Sequence, residues 1–518
     1  MDAYDRAICR AFAYKHKSLT TDRDYASIPF AFPSDPPLPG LAALRSRVAF
    51  LSSYKPEFHH CCPNSCCCYV GPNAELCECP FCNESRFHPG TKKPRKIFTY
   101  IPIIPRLQNF ALNTRVATLM LYRSQRELVD GVSSDIFDGA QHKTLCGTNV
   151  ELDHKTFAHK YFSDHRDVAL GLSTDGFAPF NKRKKTAWPL ILFNYNLAPD
   201  IRFHMEHILA LGVIPGPKKP KDFDSFLYPF LQELFRLMQG VRALDILTSA
   251  FFILRAYLIA VFGDIPAISM VMQMKGHNGV CPCRMCEIKG IRIPGSKSVT
   301  HYVPLNQAPH PTVRADKDRV QRYDPRNLPM RTHVALLEQA KKVELAQSGA
   351  EADALSKQYG IKGTPLLSYI RSLSFPVSFP YDFMHLIWEN LVPNLILHWT
   401  GKFKGLDDGK ECYELSDAIW ESIGAGTAKS GSFIPSAYGC RVPNIVKDRS
   451  ACTAESWSFW TLYIGPVLLR HRFQKAKYYR HFVKLVKLLN LCLQFEISDD
   501  EVEVLREGFV EWVEEYEK

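Results

Sequence analysis

The stretch CCPNSCCCYVGPNAELCECPFC puts eight cysteines into residues 61–82. Thiols at that density must be bridged, bound to metal or sealed in a core, so this stretch limits the fold more than any other. The opening residues, MDAYDRAICRAFAY, carry acids and lack the apolar centre of a secretory leader. The expected compartment is therefore reducing, where structural disulfides are disfavoured. Eleven of the 17 cysteines fall in two groups, 61–82 and 281–286, and grouping of that kind points to metal.

Within the first group, Cys62-Pro-Asn-Ser-Cys66 and Cys79-Pro-Phe-Cys82 form a C-x3-C-x12-C-x2-C pattern. Zinc takes four tetrahedral soft ligands, and two tight knuckles let backbone amides hydrogen-bond to the thiolates. The expectation is structural Zn2+ on Cys62, Cys66, Cys79 and Cys82. Cys61, Cys67, Cys68 and Cys77 are surplus and leave the ligand choice open by one or two positions; the competing reading is a loop of free thiols. The second group is GHNGVCPCRMCEIKG, residues 276–290. Here the expected zinc ligands are Cys283, Cys286, His301 and one of Cys281, His277 or His310. The alternative is a redox-inert turn with two buried thiols.

Composition narrows the rest. With 46% hydrophobic and 23% charged residues the chain is too apolar to be disordered, and 518 residues bury a large core in two or three domains. A net charge of +11 permits a polyanionic partner. The most apolar run, ILTSAFFILRAYLIAVF (246–262), is short for a membrane span and carries Arg255 at its middle, so it reads as a buried core element. Residues 1–60, with the proline-rich FAFPSDPPLPG, read as an arm or linker. The basic run Lys92–Lys96 reads as a nuclear localisation patch or phosphate contact, against the simpler reading of a solvated run.

Beyond residue 165 the periodicity changes. Runs 167–177, 187–197 and 208–216 have strand character, and apolar residues from Phe223 to Met238 mark one helix face closed by Gly240. The apolar run 246–262 follows and stops at GDIP, which contains Asp264. This order is the one expected of a ribonuclease-H-like core, in which acids sit at the ends of neighbouring strands. Residues 310–372 read as partly helical, 378–399 as a turn and a long helix, and 424–450 as a loop. Buried helices are expected at 453–473, with Thr453 as N-cap, and at 478–493. A closing amphipathic helix stops mid-pattern, which reads as a fragment.

Taken in order, CPNSC…CPFCNESR (62–86), YIPIIPRLQ (100–108), LGLSTDGFAPF (170–180), AWPLILFNYNLAP (187–199), IPGPKKPKDFDSFLYPFLQEL (214–234), GDIPAISM (263–270), the 283–301 cysteine/histidine block and YDFMHLIWENLVP (381–393) resemble the CACTA-type (En/Spm) DNA transposase family in its fungal form. The resemblance implies an α+β or α/β fold: a ribonuclease-H-like DDE core with a large, mostly helical insertion, C-terminal helices and small zinc modules. It implies three carboxylates holding paired Mg2+ or Mn2+ for DNA strand cleavage and transfer. Asp175 matches the first acid and Asp264 the second. The third is Glu455 or Glu389, with Glu455 preferred because it opens a helix after a long insertion. Asp382 and His385 form the D-x-x-H element found beside many such sites.

Lys182, Arg183, Lys184 and Lys185, just after Asp175, are expected to neutralise phosphates. The implied organisation is an arm (1–60), a zinc module with its connection (61–160), the first part of the core (161–275), a knuckle-bearing insertion (276–372), and the rest of the core with C-terminal helices (373–518). The implied partner is DNA at transposon ends in the nucleus, with no membrane and with self-association left open. Two other readings compete. One is a non-catalytic, zinc-containing protein that binds nucleic acid or another protein. The weaker is a zinc hydrolase, disfavoured because cysteine-rich sites lack an open coordination position.

Overall fold

Branched apolar runs separated by glycine and proline become strands wherever the expectation placed them. The computed structural model describes residues 2–52, 54–179, 186–293, 300–309, 322–403, 411–439 and 441–518. Among these, the strands in chain order are β1 (Glu57–His60), β2 (Ile97–Tyr100), β3 (Val132–Ser133), β4 (Asn149–Leu152), β5 (Lys155–Lys160), β6 (Val168–Thr174), β7 (Ala187–Asn194), β8 (Leu209–Pro215), β9 (Val241–Asp245), β10 (Ala250–Leu254), β11 (Ala256–Phe262) and β12 (Ile497–Ser498). The chain divides into two units, one of Met1–Leu121, Gly176–Leu192 and His204–Ala256, the other of Tyr122–Asp175, Phe193–Phe203 and Tyr257–Lys518. The architecture is mixed α+β with many helices.

In the first unit, β1, β2, β8 and β7 lie side by side in that order, each pair antiparallel. Helix Asp224–Gln239 covers apolar surface with Phe226, Leu227, Phe230, Leu231, Leu234 and Leu237, all buried, and ends at Gly240, whose φ of +112° suits only glycine. Its Glu233 is buried yet satisfied: the carboxylate accepts from Tyr100 Oη at 2.5 Å, Ile103 N at 2.7 Å and Ile104 N at 3.0 Å. A hairpin of β9 and β10 follows. The apolar run 246–262 is therefore two strands with Arg255 between them, and among the described residues no helix is long and apolar enough to cross a membrane.

Residues 1–60 depart from the arm reading. They form helices Ala3–Lys17, Asp22–Ala31 and Leu41–Ser52, closed around Ile8, Tyr25 and Leu44. Asp2 and Thr21 cap the first two, accepting from Asp5 N and Asp24 N. Pro33, Pro36, Pro37 and Pro39 fall in the link between the second and third helices, where no helical amide donor is required.

In the second unit, β6 and β11 are neighbours, and both are buried almost throughout, as strands covered on both faces are. Ion pairs are buried here. Arg202 Nη2 lies 2.7 Å from Asp135 Oδ2, which also accepts from Tyr122 Oη at 2.8 Å. Arg126 Nη1 lies 2.5 Å from Asp138 Oδ1. The residues after 383 pack around a tryptophan-rich core that includes Trp388, Trp399, Trp420, Trp457, Trp460 and Trp512.

Wide π turns occur in this region at Met384–Leu391, leading into helix Val392–Trp399, and at Trp460–Ile464, between helices Ala454–Phe459 and Gly465–Leu468, and each runs straight into a residue followed by proline, Val392-Pro393 and Gly465-Pro466. Proline lacks the amide that an α-helical ladder needs, and widening the preceding turn accommodates that loss. The loop expected from residue 424 begins later, because helix Asp417–Ser430 continues through Gly424 and Gly426. A Cβ at Gly424 would lie 2.4 Å from Asn444 Oδ1 and one at Gly426 3.2 Å from Leu468 Cδ2, so close packing accounts for glycines that sequence alone reads as breakers.

Candidate functional site

The first unit gathers the four expected cysteines. The Sγ atoms of Cys62, Cys66, Cys79 and Cys82 all lie within 4.8 Å of one another. Thiolates at ~2.3 Å from one tetrahedral zinc stand about 3.8 Å apart, so this set fits the ion. Asn64 supports it twice, with its backbone N–H 3.3 Å from Cys62 Sγ and its Nδ2 3.5 Å from Cys82 Sγ. Three of the four residues are buried, the enclosure of a structural rather than a catalytic site. Of the surplus thiols, Cys67 Sγ lies 3.9 Å from Cys79 Sγ, Cys61 and Cys68 pair through their backbones, and Cys77 is exposed.

Folding of this module uses up part of the basic run 92–96. Lys96 Nζ donates to Pro63 O, Ser65 Oγ, Pro215 O and Gly216 O, and Arg95 pairs with Glu84 at 2.6 Å. Lys92 and Lys93 are left exposed.

The second unit holds the acids. Asp175 directly follows β6, and Asp264 is the second residue after β11. A Cβ on Gly263 would lie 2.5 Å from Thr174 O, so the residue after β11 rests on the last residue of β6. The two adjacent strands therefore run parallel and finish together, each followed within two residues by an aspartate. Asp264 also caps helix Ile265–Val271, its Oδ1 accepting from Ala267 N at 2.5 Å.

Residues 372–378 run beside β11: Ser372 Oγ donates to Leu258 O, and Val261 N–H donates to Ser378 O at 2.8 Å. Asp382 follows four residues on, with His385 Nδ1 3.3 Å from its Oδ2, while His385 Nε2 lies 3.8 Å from Glu389 Oε2. One imidazole thus stands between two carboxylates. Glu455 occupies the first turn of helix Ala454–Phe459, capped by Thr453 as expected, and this helix packs against the π turn that carries Glu389. The structure sets Asp175 and Asp264 on neighbouring strand ends, joins Asp382, His385 and Glu389, and puts Glu455 on an adjoining helix.

The second cysteine group is arranged differently. Cys283 Sγ is 3.4 Å from Tyr381 Oη and accepts from Met285 N at 3.3 Å. The Cys286 thiol beside it, then Tyr381 and the backbone amides, hold Cys283 down at about 5 against the opposing effect of burial. Arg284 lies 3.9 Å over the Tyr381 ring and donates to Pro380 O at 2.7 Å. His301 N–H donates to His277 O at 2.8 Å, so those residues meet through their backbones. Among the described residues, only the Cys62 set has three or more ligand atoms all within 4.8 Å of one another. His310 and the run Lys182, Arg183, Lys184 and Lys185 lie outside the described residues. Arg284 and Tyr381 went unremarked in the sequence, although both lie inside quoted motifs; spacing along the chain carries no sign that they stack.

The model of the transposase family tnp2 matches residues 142–328, a stretch that contains Asp175, Asp264, Cys283 and Cys286. No curated protein matches the chain. The family match supports a transposase-like protein, and transposases as a class act on DNA.

Proposed function

We propose that the chain is a DDE-type DNA transposase of the CACTA (En/Spm) kind, with a ribonuclease-H-like core that cuts and joins strands at transposon ends in the nucleus. One observation carries this reading: Asp175 and Asp264 close two adjacent parallel strands, inside the stretch matched by the tnp2 family.

The donor set suits Mg2+ or Mn2+, since carboxylate oxygens are hard ligands and the substrate is a phosphodiester. Asp175, Asp264 and Glu455 would hold the ions, with Glu389 as the alternative third acid. Bound in pairs, such ions lower the pKa of an attacking water or 3′-hydroxyl and offset charge on the departing oxygen. The chain's own work is placement. Gly263 lets the two strand ends approach, and the helix cap fixes Asp264 while committing only its Oδ1. The His385 imidazole, standing between the carboxylates of Asp382 and Glu389, would be available to move a proton near the reacting phosphate.

The test uses purified protein, labelled duplexes carrying transposon ends, and Mg2+ or Mn2+. Cleavage that disappears in Asp175→Asn, with folding and DNA binding retained, supports the reading. Cleavage unaffected by that substitution overturns the assignment. Binding of DNA by the unaltered protein with no cleavage under any divalent ion would favour a zinc-containing, non-catalytic nucleic-acid-binding protein, a role that the capping duty of Asp264 already fits.

A further inference from the structure

Residues 470–487, RHRFQKAKYYRHFVKLVK, contain seven lysines and arginines and no acid. They form a turn followed by most of helix Ala476–Cys492. Arg470, Arg472, Lys475, Lys477, Arg480 and Lys487 are all exposed. Among the described residues none of these six has a carboxylate within ion-pair distance, whereas Lys484 on the same helix is held by Glu511 at 2.8 Å and Glu515 at 3.3 Å. Lys477, Arg480, Lys484 and Lys487 recur at helical spacing and make one stripe. The opposite side, Phe482, Leu485, Val486 and Leu489, is buried in the tryptophan-rich core. The first turn of this helix contains no acid and has no side-chain cap, so its amide donors add to the positive field.

We infer that the turn and stripe from Arg470 to Lys487 form a docking surface for the phosphate backbone of duplex DNA. This rests on the nucleic-acid reading above and names where the duplex lies. A membrane surface fits less well, since a helix bound to lipid presents apolar residues outward and this one presents them inward. Single-stranded nucleic acid also fits less well, because it is held by bases stacked on free aromatic rings. The two tyrosines here are already engaged: Tyr479 Oη donates to Pro466 O at 2.8 Å, and the Tyr478 ring packs edge-on to Tyr413 at 5.8 Å. What remains is an array of exposed cations, the chemistry of contact with the phosphate backbone.

The experiment is fluorescence anisotropy of the full chain with a labelled random-sequence 30-base-pair duplex between 50 and 300 mM salt. It compares the unaltered protein with an R472Q/K475Q/K477Q/R480Q variant, whose fold is checked by its thermal melt. Losing four phosphate contacts lowers the slope of log K against log salt by about 3 to 4 and weakens binding at least tenfold at 100 mM. A K341Q/K342Q variant, altered at a separate exposed basic pair, keeps the original slope. Equal slopes for the unaltered and fourfold-altered proteins overturn the surface while leaving DNA binding intact. Failure of the unaltered protein to bind at 50 mM overturns the nucleic-acid reading beneath it. If poly-glutamate or phosphatidylserine vesicles bind in a manner sensitive to the four substitutions and the duplex does not, the occupant is wrong and the inference falls.

Discussion

Gly263 rests on the carbonyl of Thr174, with room for no Cβ: a methyl there would come to 2.5 Å of the oxygen. The contact ties the ends of β6 and β11 together one residue before each aspartate. Gly263→Ala must push the strands apart, at a cost of roughly 1–3 kcal/mol. The expected outcome is a melting temperature lowered by several degrees, with metal-dependent cleavage reduced more than folding. An unchanged melt and unchanged activity would show that the close approach does not set the spacing of the acids.

The cysteine cage predicts its own stoichiometry. Mass spectrometry of the native protein should show zinc that Cys79→Ser removes and Cys67→Ala leaves in place, even though Cys67 Sγ is only 3.9 Å from Cys79 Sγ. A strong chelator should lower the melting temperature of the intact protein and have little further effect on the Cys79→Ser variant, because binding energy at a structural zinc site is folding energy.

Arg202 and Asp135 form an ion pair whose side chains are only 4% and 0% exposed. Removing one partner strands the other charge away from water. Arg202→Met should therefore cost about 3–5 kcal/mol, readable as a shift in the urea midpoint. Replacing both residues with apolar ones of similar size should recover much of that loss.

Asp138 supplies a pH dependence. Burial raises its pKa, but Arg126 and the amides of Ser134 and Asp135 outweigh burial and bring it from 3.8 to about 2. A carboxyl whose folded value is depressed contributes stability that is fully present above its unfolded pKa and lost as pH falls through the folded one. The loss should fall between about pH 4 and pH 2 and amount to something on the order of 2 kcal/mol. Denaturant melts over that range should show a steeper decline for the unaltered protein than for Asp138→Asn.

The strands and the covering helix were readable in sequence wherever periodicity was clean: β6, β7, β8 and helix Asp224–Gln239 lie where their apolar patterns put them. The first cysteine cage was readable because zinc knuckles are local in sequence. Other features depend on contacts with distant residues. Gly424 looks like a breaker until Asn444 is seen against it, and the π turns make sense only as the approach to Pro393 and Pro466. The run 246–262 lacked punctuation, so the division into β10 and β11 at Arg255 left no local trace. The arrangement of Cys283, Arg284 and Tyr381 spans almost a hundred residues and has no periodic signature.

The chain alternates between its two units, changing over after Leu121, Asp175, Leu192, Phe203 and Ala256. Neither unit is a continuous ribbon that one cut releases. A nonsense codon anywhere from 122 to 255 would leave both incomplete, so early truncations should be cleared as misfolded polypeptide rather than persist as half-proteins. Swapping material between related copies at a single junction in that interval would mix parentage within each unit at once. Lineages that exchange such pieces are expected to retain breakpoints beyond Ala256 or ahead of Tyr122.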